Sequence, residues 1–164
     1  MKLESQKHNI PPIYDKNSKI LILGSFPSVK SREVQFFYGH PQNRFWRVTA
    51  ALTGEETPVS IEQKRAMLLR NGIALWDVIA SCEITGSSDS SIRSVVANEL
   101  SPLLAVSRIR RVFTNGATAD RLYRKYLLVK TGLPATRLPS TSPANAAWSL
   151  ERLTAEWSVI RDDG

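Results

Sequence analysis

Four short apolar runs punctuate this chain: Lys19-Ile-Leu-Ile-Leu-Gly24, Gly72-Ile-Ala-Leu-Trp-Asp-Val78, Arg111-Val-Phe-Thr-Asn-Gly116 and Ala135-Thr-Arg-Leu-Pro139. All four read as strands buried on both faces. Helical spacing fills the intervals. Phe45, Val48, Thr49 and Leu52 share one face ahead of Gly54, and Ser60-Ile-Glu-Gln63 forms a capping box that opens a helix running toward Gly72. A third helix is predicted from Ser101-Pro102, with Ser as cap and Pro at the first helical position. A fourth runs from about Gly116 to Gly132, with Ala119, Leu122, Tyr123 and Tyr126 inward. By the same capping logic the last begins at Ser142-Pro143 and places Ala146, Leu150, Leu153, Trp157 and Ile160 on one face.

Alternating strands and helices predict an α/β fold, a three-layer αβα sandwich around a roughly four-stranded parallel sheet with right-handed crossovers. A length of 164 residues fits a single domain spanning 1–164, with its core at about 18–160. Ligands of such sheets bind beyond the carboxyl ends of the strands. That rule selects four loops: after Gly24, after Asp77, at Asn115-Gly116, and Ser140-Thr-Ser-Pro-Ala-Asn145.

Composition narrows the function classes. No apolar run approaches the roughly 18 residues of a membrane helix, and Met1-Lys-Leu-Glu-Ser-Gln-Lys-His8 lacks the apolar stretch of a signal peptide, so a soluble, cytoplasmic protein is expected. A formal charge of +7 favours a polyanionic partner such as nucleic acid. Cys82 is the sole cysteine, which excludes an internal disulfide, and the only histidines, His8 and His40, have no thiol or spaced carboxylate nearby. Neither an iron–sulfur cluster nor a zinc site is therefore expected. The chain also lacks the glycine-rich dinucleotide and P-loop signatures and the G-x-S-x-G elbow of serine hydrolases.

What remains is a set of aromatic rings, amides and hydroxyls, suited to stacking on a base and bonding its polar edge. Gly24-Ser-Phe-Pro-Ser28, Tyr38-Gly-His-Pro-Gln-Asn-Arg-Phe-Trp46 and Leu138-Pro-Ser-Thr-Ser-Pro-Ala-Asn145 together resemble the uracil-DNA glycosylase superfamily, and within it the hypoxanthine-DNA (deoxyinosine) glycosylase branch. The resemblance implies a monofunctional DNA repair glycosylase that hydrolyses the N-glycosidic bond of a deaminated base, above all hypoxanthine, in double-stranded DNA. A monomer is the simplest form for such an enzyme.

Two positions depart from the superfamily pattern. Phe26 stands where an Asp or Asn usually orients the attacking water, and Leu138 where a His often supports the departing base. Asn43 is then the chief chemical candidate, because the similar string in the family carries an Asn at that place; the resemblance implies that it positions either the water or the leaving base. The resemblance makes Tyr38 the platform for the flipped base and lets Phe26 line the same pocket, with core packing as the alternative for both. Asp77 resembles in position the residue that reads the uracil edge, which is usually an Asn. As a carboxylate it would accept from the N1–H of hypoxanthine, and when protonated it would donate to a base oxygen. Capping of the following turn is its structural alternative, and Asn115 is a further pocket candidate that equally suits an Asn-Gly turn.

Ser25, Ser28 and Ser140 are candidate phosphate contacts, aided by a helix N-terminus after Ser142. By resemblance, the loop containing Ser140, Thr141, Ser142 and Asn145 would enter the minor groove, while Lys30, Arg44 and Arg47 are candidate phosphate contacts. Two other readings stay open. One is a uracil- or mismatch-specific glycosylase, from the shared Asn43-Arg-Phe-Trp46 string; the other is a catalytically silent nucleic-acid-binding module, from the departures at Phe26 and Leu138.

Overall fold

The computed structural model describes residues 4–161; the first and last three residues of the expected 1–164 domain lie outside the described residues. Seven strands and seven helices follow in order: β1 (Glu4–Lys7), β2 (Ile20–Gly24), α1 (Val29–Val34), α2 (Phe45–Thr53), α3 (Ile61–Arg70), β3 (Ile73–Asp77), β4 (Ile79–Ile84), β5 (Arg93–Ala97), α4 (Ser101–Val106), β6 (Arg111–Asn115), α5 (Ala117–Tyr126), α6 (Leu128–Thr131), β7 (Ala135–Leu138) and α7 (Leu150–Trp157).

The four apolar runs form one parallel sheet in the order β3-β2-β6-β7. Period-two geometry splits the residues of β2 between its faces. Ile20 and Ile22 join a core with Phe45, Trp46, Val48, Met67, Leu68, Leu153 and Trp157, from α2, α3 and α7. Leu21 and Leu23 face Leu100, Leu103, Leu122 and Tyr123, on the side of α4 and α5. The sandwich is thus three-layered, as the pattern predicted. The chain leaves β2 for β3 on one side and later enters β6 on the other, so the crossover direction reverses at β2 and the crevice there faces Gly24 and Asn115.

Several local expectations hold in detail. Ser60 and Gln63 form the reciprocal capping box of α3, and Gly54 ends α2 with φ 71°. Others shift. Leu100 rather than Ser101 caps α4. The predicted fourth helix is interrupted at Leu127 and continues as the short α6.

The last helix starts at Ser149, whose hydroxyl accepts from Arg152 N–H at 3.1 Å, and not at Ser142. Residues 142–148 run as turns because Arg44 gathers the carbonyls of Ser142, Asn145 and Trp148, which a helix would otherwise use along its own axis. The phosphate-attracting helix N-terminus expected after Ser142 is therefore absent from that position.

A second sheet was not predicted. β4 leaves β3 after the single residue Val78 and pairs antiparallel with β1 and β5. Asn98 braces this junction, donating to the carbonyls of Asp77 at 2.9 Å and Ile79 at 3.1 Å.

Candidate active site

The carboxyl ends of β2, β3 and β6 and the segment after β7 converge on a cavity of about 290 Å3. Its lining includes Ser25, Phe26, Ser28, Tyr38, Asn43, Asp77, Asn115, Ser140, Thr141 and Ser142 from the predicted set, together with His40, Ser87 and Asp89. A larger concavity of about 1130 Å3 opens at the opposite ends of the strands, but none of the predicted site residues lines it.

Aromatic packing sets one wall. Trp46 Nε1 donates to the Phe37 carbonyl at 3.2 Å and so pins the residue before Tyr38. Tyr38 lies in the left-handed region at φ 51°, a conformation that side-chain-bearing residues adopt sparingly and that tertiary packing must hold. Its ring stacks on Phe45 with centroids 4.3 Å apart. The Tyr38 hydroxyl is buried without a hydrogen bond of ordinary geometry. Burial first, and then the neighbouring Asp77 charge, push its pKa well above the usual phenol range, with Asn115 opposing. Phe26 is buried at the cavity wall under the Arg32 guanidinium, 5.5 Å from its ring centre.

The opposite wall is a chain of hydrogen bonds whose polarity is fixed by backbone groups. Asn115 Oδ1 accepts from Thr141 N–H at 3.1 Å, so its Nδ2 is the atom that donates to Thr141 Oγ1 at 3.0 Å. The Thr141 hydroxyl in turn donates to Asn43 Oδ1 at 2.9 Å. Phe45 N–H, a donor only, also reaches Asn43 Oδ1 at 2.9 Å, which fixes the orientation of that amide. Asn43 therefore presents its remaining group, the Nδ2 donor, to the cavity.

Asp77 ends β3 at the base of the cavity, 3% exposed. Its Oδ2 lies 2.8 Å from His8 Nε2. His8 was missed in the sequence because it arrives from the polar strand β1, 69 residues away. His40 accepts from Gln42 N–H through Nδ1 at 3.0 Å and also lines the cavity. At the rim Ser25 donates to Asp89 at 3.2 Å. Although Asp89 is exposed as a residue, the mass around its carboxyl raises its pKa, against the Ser25 hydrogen bond.

Arg44, expected at a phosphate, and Thr141, expected in the minor-groove loop, are both engaged within the protein. Arg44 is half-buried, and its guanidinium donates to the carbonyls of Ser142 at 2.8 Å, Asn145 at 3.1 Å and Trp148. Thr141 is fully buried, with its hydroxyl and N–H paired as above. Lys30 and Arg47 are exposed. Ser28 caps α1 by accepting from Ser31 N–H, and Asn145 donates to the Ser140 carbonyl, so both also shape their loops. Leu138 packs in the core and Phe26 borders the cavity, so the two departures from the motif pattern differ in kind.

This constellation, on this sheet order, coincides with a family match. The uracil DNA glycosylase superfamily model covers residues 11–162. The chain belongs to the uracil DNA glycosylase superfamily. Within the superfamily's range of similarity, a Methanosarcina acetivorans protein named hypoxanthine DNA glycosylase is 37% identical over 156 residues, covering 94% of this chain and 97% of its own length. A Methanosarcina barkeri protein of the same name is 32% identical, covering 93% and 96%. A solution NMR structure from Methanosarcina acetivorans, described as a candidate uracil DNA glycosylase, superposes with a TM-score of 0.80 at 37% identity, covering 94% of this chain and 95% of its own. Among the described residues no helix is long and apolar enough to cross a membrane.

Proposed function

We propose that this superfamily member is a DNA glycosylase that hydrolyses the bond between deoxyribose and hypoxanthine in duplex DNA and leaves an abasic site. The observation that carries the reading is the orientation of Asn43. With Oδ1 held by Phe45 N–H and the Thr141 hydroxyl, the side chain offers a donor to the cavity rather than an acceptor for a water proton.

A fixed donor stabilises charge that develops on a departing base, an effect worth on the order of a hundredfold or more in rate for one well-placed group. The C1′–N9 bond breaks with its electron pair leaving on the purine. Water adds to the oxocarbenium-like sugar, and its proton goes to the base or solvent. Asn43 thereby positions the leaving base. Phe26 and Tyr38 enclose the extruded ring, and Asp77 accepts from its N1–H, while Asn115 holds Thr141 in place. Extrusion costs a few kcal/mol, least in a weak pair, which favours a deaminated base.

Ser25, Ser28, Lys30, Arg47, Ser140, Ser142 and Asn145 form the rim that meets the DNA backbone. Neither a metal nor an organic cofactor enters the scheme, and among the described residues no lysine lines the cavity to act as a strand-cleaving nucleophile. The functional form in this reading is one domain acting as a monomer in the cytoplasm. Uracil is the second candidate substrate, favoured by the likeness to the structure described as a candidate uracil glycosylase and by the imide N–H that uracil would also present to Asp77.

The deciding experiment incubates the protein with oligonucleotide duplexes carrying hypoxanthine, uracil or no lesion, followed by alkaline cleavage of abasic sites. Cleavage at hypoxanthine is expected, while cleavage only at uracil would transfer the assignment to the second substrate. Binding without cleavage on any duplex would support a silent nucleic-acid module and overturn the enzyme reading.

A further inference from the structure

His8 and Asp77 form a side-chain pair behind the cavity wall, and the glycosylase scheme has so far used only Asp77. The imidazole is almost inaccessible, with side-chain exposures of 2% for His8 and 5% for Asp77. It is enclosed by Phe26, Phe37 and Trp76, whose ring centres lie 6.1, 6.2 and 6.1 Å away. Among the described residues the ring has two hydrogen-bond partners, and both are defined.

Ile10 N–H, which can only donate, points to His8 Nδ1 at 3.2 Å. Nδ1 must therefore be the acceptor nitrogen, and the ring proton resides on Nε2. Nε2–H in turn donates to Asp77 Oδ2 at 2.8 Å. The backbone of Ile10 is itself held, since its carbonyl accepts from Trp76 Nε1 at 3.0 Å. A fixed backbone amide thus sets the tautomer of His8, and the tautomer sets which role Asp77 plays at Oδ2.

A carboxylate already satisfied at Oδ2 keeps Oδ1 available as an acceptor. Oδ1 lies against Gly24, where any Cβ would collide with it, so the carboxylate plane is confined from both sides. We propose that His8 is a positioning residue that locks Asp77 as a hydrogen-bond acceptor toward the extruded base, so that the site takes a ring N–H and turns away adenine. Hypoxanthine carries a proton on N1 where adenine carries only a lone pair, and an acceptor facing a lone pair is left unpaired. Sites built to pair a substrate N–H reject analogues lacking it far more strongly than shape alone allows. This inference rests on the glycosylase reading, and it assigns the discrimination between a deaminated and an intact base to a residue outside the cavity lining.

The test is single-turnover excision of hypoxanthine by the wild type and by His8→Gln, His8→Asn and His8→Phe. Gln can place an amide N–H near the position of Nε2, whereas Asn is too short and Phe has no donor. The expected result is a loss of roughly ten- to a hundredfold for Phe and Asn, the scale of a hydrogen bond to a charged group. Recovery of most of that loss is expected in Gln, with binding to abasic-site DNA the same in all four proteins.

Equal activity in all variants, or equal loss in Gln and Phe, would overturn the role of His8 while leaving hypoxanthine excision by the wild type standing. Absence of excision by the wild type would instead overturn the functional reading, and this inference with it. Nitrogen-15 spectra of the wild-type imidazole give a check that needs no His8 variant. Only two histidines are present, and His40→Gln assigns them. A protonated Nε2 and bare Nδ1 at His8 are expected, and the opposite tautomer would refute the proposal.

Discussion

Thr141 Oγ1 donates to Asn43 Oδ1 across 2.9 Å, joining the segment after β7 to the start of α2, 98 residues earlier in the chain. Together with Phe45 N–H this bond turns the Asn43 amide so that its donor faces the cavity. Asn43→Asp would preserve both acceptor contacts and replace the outward donor with an acceptor oxygen. Excision is expected to fall by at least about a hundredfold with the melting temperature nearly unchanged. Asn43→Ala, by contrast, also loses the bond to the first turn of α2 and should cost about 0.5–2 kcal/mol of stability. Wild-type turnover in a folded Asp variant, measured beside its thermal denaturation, would remove Asn43 from the chemistry.

Thr141→Val isolates the link itself. Valine keeps the shape and both backbone bonds, to Asn115 Oδ1 and from Arg44 N–H, but it leaves Asn115 Nδ2 without its acceptor. The expected cost is about 1–3 kcal/mol of stability, the range for a buried polar group left unpaired. A drop of roughly tenfold in single-turnover rate should accompany it, as Asn43 loses one of two restraints. Full activity at reduced stability would mean that Phe45 N–H alone orients the amide.

Arg44 and Arg47, three residues apart, should separate cleanly. Arg47→Ala removes an exposed cation from the rim and is expected to weaken DNA binding and to lower the slope of log affinity against log salt by about one, with little change in melting temperature. Arg44→Ala should instead destabilise the protein, because the carbonyls of Ser142, Asn145 and Trp148 lose a common donor. Titrations at several salt concentrations together with thermal melts distinguish the two, and identical behaviour would contradict the division of roles.

Strands β2, β3 and β6 were readable in the sequence because strands buried on both faces must be apolar at nearly every position, whereas β7, at the sheet edge with Thr136 and Arg137 exposed, is not buried on both faces as expected. Their carboxyl-terminal loops then pointed to the cavity, including Asp77, Asn115 and Ser140. The antiparallel sheet was not readable, since β1 is the polar string Glu4–Lys7 and is held by pairing with β4 rather than by an apolar face. His8 was hidden for the same reason. The start of the last helix was misplaced because Ser142-Pro143 and Ser149 both carry capping chemistry, and the choice is made by Arg44, nearly a hundred residues earlier. Contacts of that span leave no local pattern, although Asn43 and Tyr38 were accessible through the motif they share.

Gly24→Ala tests whether the cavity tolerates any change at the carboxyl end of β2. A methyl group there would overlap Asp77 Oδ1 and lie 2.9 Å from Tyr38 Oη, and both the Asp77 side chain and the Tyr38 hydroxyl are buried. Tyr38 is packed on Phe45, so the carboxylate is the group that must rotate, and rotation strains its bond with His8. Overpacking of this kind costs about 1–3 kcal/mol. Excision should fall further than that destabilisation explains, because the displaced group is the one assigned to read the base. Single-turnover rates measured well below the melting temperature provide the check. A variant that is destabilised yet excises hypoxanthine at the wild-type rate would show that the orientation of Asp77 is irrelevant to substrate choice.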